Sequence, residues 1–306
     1  MQPGISKSKL GWLSWLVGCL AAACWGISTV ITKSVLDEIA PLPLLTVQLL
    51  CSNLLLWAAV GWGVKHNQIE LPPSRTAIRL ALPGLLQPGL SFAAAVAGLA
   101  LTTASVEALI WSLETVFIIG LAWLLLREQV GLGLLGLSLL GVLGVGLVTA
   151  TGDTTLAGPY AWIGNGLILL GTFCAALYTV LVRSSLQAAE PLLLTALNQL
   201  MGLLLVLAML GLSSPWLKPQ FDWSGQTWSL AALSGLMLHA LPFWAFNWVL
   251  KRVPASLAAF FLMLIPLFTL SGAFLFLHER FTVSQWLGTG IILAAMAGVA
   301  RLEGSS

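Results

Sequence analysis

Two glutamates stand seven residues apart in the apolar stretch SVEALIWSLETVF, residues 105–117, with Trp111 between them. Seven residues make almost two helical turns, so Glu107, Trp111 and Glu114 are expected on one helix face. Glu107 lies near one end of its apolar segment, where it either reaches interfacial water or faces a cavity. Glu114 lies about ten residues from one end and about twelve from the other. A charge at that depth costs several kcal/mol unless it is paired or hydrated. No Lys or Arg falls near the middle of any apolar segment, so an ion pair is not expected to hold it. Two functional roles are open to Glu114. It can exchange protons with whichever aqueous side a cavity opens to, or attract an ammonium group while Trp111 offers a cation–π face one turn away. A protonated carboxyl hydrogen-bonded inside the bundle is the structural alternative.

The other candidates sit beside helix breaks. Pro83-Gly84 and Pro88-Gly89 interrupt one apolar segment, and Pro242 interrupts another near the position matching Pro88. Proline has no amide donor and displaces the carbonyl four residues earlier. The freed groups need partners, so such breaks are expected to face protein or a water-filled cavity. Gln87 and His239 adjoin the breaks and are expected to line the same place, with Asn247 as a further neutral neighbour of Glu114. Trp25 and Tyr178 lie at comparable depth in opposite halves, where each either faces the cavity or packs.

These residues are carried by a chain of 306 residues that is 58% hydrophobic and 8% charged. A soluble domain carries about a quarter charged residues, so the chain is expected to be an all-α integral membrane protein with the lipid bilayer as its first partner. Apolar stretches of about 20 residues, the length that crosses hydrocarbon, are expected near 12–36, 43–63, 77–101, 104–126, 132–150, 159–183, 191–212, 228–251, 255–277 and 283–301. That is ten transmembrane helices, with a tight reversal at Thr102-Thr103. Lys7 and Lys9 precede an apolar run ending in three alanines, as in a signal peptide, but its length favours a retained helix. Ten Lys and Arg (Lys7, Lys9, Lys65, Arg75, Arg79, Arg127, Arg183, Lys251, Arg252, Arg301) fall on one side, and Lys33, Lys218 and Arg280 on the other. Both termini are therefore expected in the cytoplasm of a bacterial-type inner membrane. Cys19, Cys24, Cys51 and Cys174 lack metal-ligand spacing and are expected as packing residues. No cofactor, metal or nucleic-acid partner is expected, and the oligomeric state is left open.

The sequence repeats itself at a shift of about 150 residues. TVITKSVL at 29–36 meets TVLVRSSL at 179–186, Gln48 meets Gln199, and the segment 103–128 meets 254–279. Five spans per half is an odd number, so the halves 1–152 and 153–306 are expected as inverted-topology repeats. In transporters so built, the site lies near the midplane between the repeats. On these motifs the chain resembles the EamA-type branch of the drug/metabolite transporter superfamily. The marks are Cys24-Trp25-Gly26, ALTTASVEALI, VLKRVPASLAAFFLMLIPLFT, the closing acids Glu128 and Glu279, and the Gly-rich fifth and tenth spans. The resemblance implies a secondary transporter, often an exporter of amino acids or other small metabolites. Two departures stand out. Gln48 occupies a place where many members carry arginine, and the family's Glu-Pro pair is divided between Glu114-Thr115 and Ile265-Pro266.

Chemistry narrows the class further. No HExxH or GxSxG motif is present, so no enzyme is expected. No P-loop is present, which excludes a directly ATP-driven pump. Phosphate-bearing solutes call for fixed Lys or Arg, which the midplane lacks. Amino acids and amines suit one buried acid among aromatics, moved by uniport or coupled to protons. Other drug-like organic solutes, or a channel, are the alternatives.

Overall fold

The computed structural model describes residues 11–36, 38–99, 101, 107, 110–149, 160–213, 221–277 and 282–304, and every regular element among them is helical. Lys7, Lys9, the reversal at Thr102-Thr103, Lys218, Glu279 and Arg280 lie outside the described residues. Four long helices are uninterrupted in the first and second parts of the chain: α1 (Trp12–Leu36), α2 (Pro41–Lys65), α7 (Ala161–Ser185) and α8 (Pro191–Ser213). Proline opens α2 and α8, where a missing amide costs nothing because the first turn has no acceptor for it. Helices α6 (Leu132–Thr149) and α13 (Val283–Gly304) are likewise continuous.

The remaining segments are broken. Residues 74–99 run as α3 (Ser74–Ala81), a 3-10 turn (Leu82–Leu85), a π turn (Leu86–Leu90) and α4 (Ser91–Leu99). Residues 225–250 run as α9 (Gly225–Gly235), a π turn (Leu236–Ala240) and α10 (Leu241–Leu250). The expected breaks at Pro88 and Pro242 take a common form, since Pro88 lies within one π turn and Pro242 follows the other, whereas Pro83 lies in the 3-10 turn. Gln87 leaves helical geometry at φ −145° and ψ 126°, the extended region that a following proline imposes.

Two further breaks differ from the sequence expectation. The segment expected as one helix over 104–126 turns at Leu113, whose amide donates to Ile110 three residues back, and restarts as α5 (Glu114–Leu121). Its partner runs as α11 (Ala255–Ala258), a 3-10 turn (Ala259–Leu264) and α12 (Ile265–Leu277). The restarts fall at Glu114 and Ile265, the pair separated by the same 151 residues as Gln48 and Gln199. A tertiary bond accompanies the first restart, from the Thr115 hydroxyl to the Ala259 carbonyl at 3.2 Å.

Among the described residues six helices are long and apolar enough to cross a membrane, and 110–126, 132–148 and 255–269 are shorter apolar helices. Polarity is arranged for a hydrocarbon surrounding. Trp12, Leu54, Leu132 and Trp162 point outward, whereas Gln48, Asn198, Gln199, His239 and Asn247 are buried. Packing is reciprocal. Helix α4 lies on α7 as α10 lies on α1; α5 lies on α7 as α12 lies on α1; α2 pairs with α8, and α6 with α13. Two glycines permit close approaches to a neighbouring backbone at repeat-related positions. A Cβ on Gly235 would stand 2.6 Å from the Gln48 carbonyl oxygen, and one on Gly84 would strike the Asn198 carbonyl. Gly84 and Gly235 are again 151 residues apart.

Candidate functional site

Pro242 cannot donate a backbone hydrogen bond to Leu238, four residues earlier. The indole of Trp25 on α1 takes that place, its Nε1 donating to the Leu238 carbonyl at 3.0 Å. This bond ties α1 to the π turn that carries His239. The Trp25 ring meets Phe243 edge-on, with centroids 5.4 Å apart, and Phe246 at 5.6 Å.

Phe243 is the hub of an aromatic array. Tyr178 on α7 packs edge-on to it at 6.0 Å, and His239 stacks on it at 6.4 Å. Phe92 on α4 meets the His239 ring edge-on at 5.0 Å, and Trp111 lies against Phe92 at 6.2 Å. Trp111, Trp25, Tyr178 and His239 are thus brought together. Asn247 joins them from one turn beyond Phe243. Its amide donates to Thr195 Oγ1 at 2.9 Å, and its side chain stands beside the Tyr178 hydroxyl.

The array is buried but not satisfied. His239 and Asn247 are 0% exposed and Tyr178 is 1% exposed. Neither ring nitrogen of His239 has a hydrogen-bond partner, whereas the Tyr178 hydroxyl and the Asn247 side chain face each other. Buried polar atoms normally find partners. The two ring nitrogens of His239 are such an unmet demand within the π turn before Pro242, and a second set of unpartnered atoms lies at Ser52, Asn53, Asn198 and Gln199.

Other expected neighbours stand elsewhere. Glu114 is buried at 9% exposure and pairs with no Lys or Arg among the described residues. It makes no hydrogen bond to the array, and the same holds for Gln87, which is buried in the break on the side where the π turn packs against α7 and α8. Trp111 turns to Glu107, and their side chains hydrogen-bond. Glu107 is partly buried and reaches the array through this bond to Trp111.

Sequence reasoning missed Phe92 and Phe243, which join the polar residues into one site. The signal was present, since the two phenylalanines are separated by the repeat interval of 151 residues. It missed Thr195, which holds Asn247. Two surface cavities lie away from the array. One, of about 730 Å3, is lined by Trp123, Arg127, Glu128 and Gly131. The other, of about 500 Å3, is lined by Gln68, Glu70, Thr76, Glu190 and Lys251. Among the described residues no group of three or more His, Cys, Asp or Glu is placed to hold a metal.

The chain resembles known proteins along its length. The model of the EamA-like transporter family matches it twice, over residues 12–150 and 162–301. An uncharacterized transporter of Archaeoglobus fulgidus is 22% identical over 287 residues, covering 94% of this chain and 98% of that protein. A chloroplastic WAT1-related protein of Arabidopsis thaliana is 25% identical over 309 residues, covering 98% of this chain and 72% of its own length. A solved crystal structure shares the fold at a TM-score of 0.78 with 16% identity, over 95% of this chain and 98% of that one. With both matched stretches inside a multi-pass helical membrane protein, the chain belongs to the EamA-like transporter family.

Proposed function

We propose that this protein is a secondary transporter that exports small amine-bearing metabolites, amino acids among them, across a bacterial-type inner membrane by alternating access. One observation carries the reading: the buried array around Phe243 leaves both ring nitrogens of His239 without partners. Each such group costs about 1–3 kcal/mol when buried unpaired, so a site that keeps the imidazole there is suited to exchange bonds with a visiting solute. The array draws on both matched stretches, with Trp25, Phe92 and Trp111 from one and Tyr178, His239, Phe243 and Asn247 from the other.

We read ten spans as two five-helix repeats, 1–152 and 153–306, inserted in opposite senses with cytoplasmic termini. The reciprocal packing of α4 on α7 and α10 on α1, and the helix restarts at Glu114 and Ile265, support that reading. In it the array receives the apolar or aromatic part of the solute, and Glu114 holds an ammonium or a proton, by uniport or proton coupling. Uncharged drug-like solutes are the second reading, favoured by the separation of Glu114 from the array.

Counterflow into proteoliposomes, after a thermal-shift panel of amino acids, amines and their uncharged analogues, tests the proposal. Saturable exchange of an amine that outcompetes its uncharged analogue supports it. Glu114→Gln with unchanged transport and unchanged pH dependence removes Glu114 from the mechanism.

A further inference from the structure

Glu128 ends the segment that carries Glu114, and its placement is fixed by backbone geometry. Helix α5 runs into a π turn (Ala122–Leu126) that is closed by Arg127 in the left-handed region, at φ 54° and ψ 34°. The Glu128 amide then donates back to the Ala122 carbonyl at 3.2 Å, a six-residue closure typical of helix C-termini. A non-glycine residue at positive φ is uncommon and carries strain. Here it turns the Glu128 carboxylate onto the start of the partner segment. The Ala255 amide donates to Oε1 at 2.8 Å, and the Ser256 amide and hydroxyl donate to Oε2 at 3.1 and 2.7 Å.

Residues 110–126 are thereby fastened to residues 255–264 at two points, Thr115 to Ala259 within the bundle and Glu128 to Ala255 and Ser256 at its end. That end also bears the second stretch's own ties. Arg183 donates to the Lys251 carbonyl at 3.1 Å, and Lys251 pairs with Glu190 at 3.3 Å. Both of those ties join residues of one matched stretch, whereas Glu128 reaches from the first stretch to the second. Arg183 acts electrostatically on Glu128, so the carboxylate sits between a cation and three donors.

We infer that Glu128 is a positioning residue for transport: its bonds to Ala255 and Ser256 latch the two halves shut at the arginine-rich face, and solute reaches the array from that face only when they part. The inference rests on the alternating-access reading above. It predicts that removing the carboxylate charge shifts the population toward opening at this face. Gln is the informative replacement because it keeps the volume but turns an NH2 group toward amide donors.

The test uses the full chain with Cys19, Cys24, Cys51 and Cys174 replaced and one reporter cysteine in place of a buried alanine. Ala259 reports on the latched face, and Ala231, packed with Val35 and Val47, reports on the other end. A membrane-impermeant maleimide is applied to each face of oriented vesicles. E128Q is expected to raise labelling at position 259 by about tenfold, the worth of one charge-assisted bond, and to lower it at position 231. Labelling unchanged at both positions, or raised equally at both, overturns the latch. Should E128Q unfold, Ser256→Ala removes one bond alone and is expected to raise labelling at 259 by about threefold. Counterflow by the parent protein is measured alongside. A parent that moves no solute overturns the transport reading and leaves the latch standing; a transporting parent whose labelling ignores E128Q overturns the latch alone.

Discussion

The Phe92 ring meets the His239 ring edge-on at 5.0 Å, and this contact joins the broken segments 74–99 and 225–250. Phe92 follows the π turn at Leu86–Leu90, and His239 lies within the π turn at Leu236–Ala240. Both turns stand where proline has removed a backbone donor, and π turns recur at functional sites. The breaks thus lower the regularity of two membrane segments at the place where a buried imidazole is left without partners.

Trp25 has a structural duty that can be separated from solute contact. Its indole supplies the donor that Pro242 lacks, so Trp25→Phe leaves the Leu238 carbonyl without its partner. The expected cost is about 1–2 kcal/mol, the upper range for interhelical bonds in membrane proteins, read as a lower midpoint in detergent unfolding. An unchanged midpoint would show that the carbonyl finds another donor.

The close approach of α9 to α2 depends on Gly235. Gly235→Ala places a methyl group against the Gln48 backbone, which cannot move aside as a side chain would, and Gly84→Ala does the same at Asn198. Each is expected to destabilise by about 1–3 kcal/mol or more. Gly61→Ala, with nothing within 4 Å of its added atom, is expected to leave the unfolding midpoint in place. Equal midpoints for all three variants would contradict the packing described.

The repeat-related glutamines respond differently. Gln48 donates to Thr32 Oγ1 at 3.1 Å and to Ser234 Oγ at 2.9 Å, whereas neither amide atom of Gln199 has a partner. Gln48→Leu removes satisfied bonds and is expected to cost about 1–2 kcal/mol. Gln199→Leu removes an unsatisfied group and is expected to be neutral or stabilising. Denaturation of the two variants side by side checks the contrast, and a larger loss for Gln199→Leu would reverse it.

Much of the architecture was legible because hydrocarbon imposes simple rules. Apolar length placed α1, α2, α7 and α8 within a few residues, and proline marked the π turns at 86–90 and 236–240 but not the one at 122–126. The restart at Glu114 was not legible, because it coincides with a contact between Thr115 and Ala259, residues 144 apart. Phe92 and Phe243 were hidden differently. A phenylalanine in an apolar segment looks the same whether it meets lipid or a binding site, and only the imidazole between the two rings distinguishes them. Glu128 was visible as an end-of-helix acid, but its partners lie 127 and 128 residues away.

His239→Leu tests the central claim most directly, because stability and function should move in opposite directions. Leucine fills the space of the imidazole and removes two buried nitrogens that lack partners, so the unfolding midpoint is expected to hold or rise. Counterflow of the solute identified by thermal shift is expected to fall by about tenfold or more, the worth of one lost solute bond. A stable His239→Leu variant that exchanges solute at the parental rate would contradict the assignment of the array as the transport site.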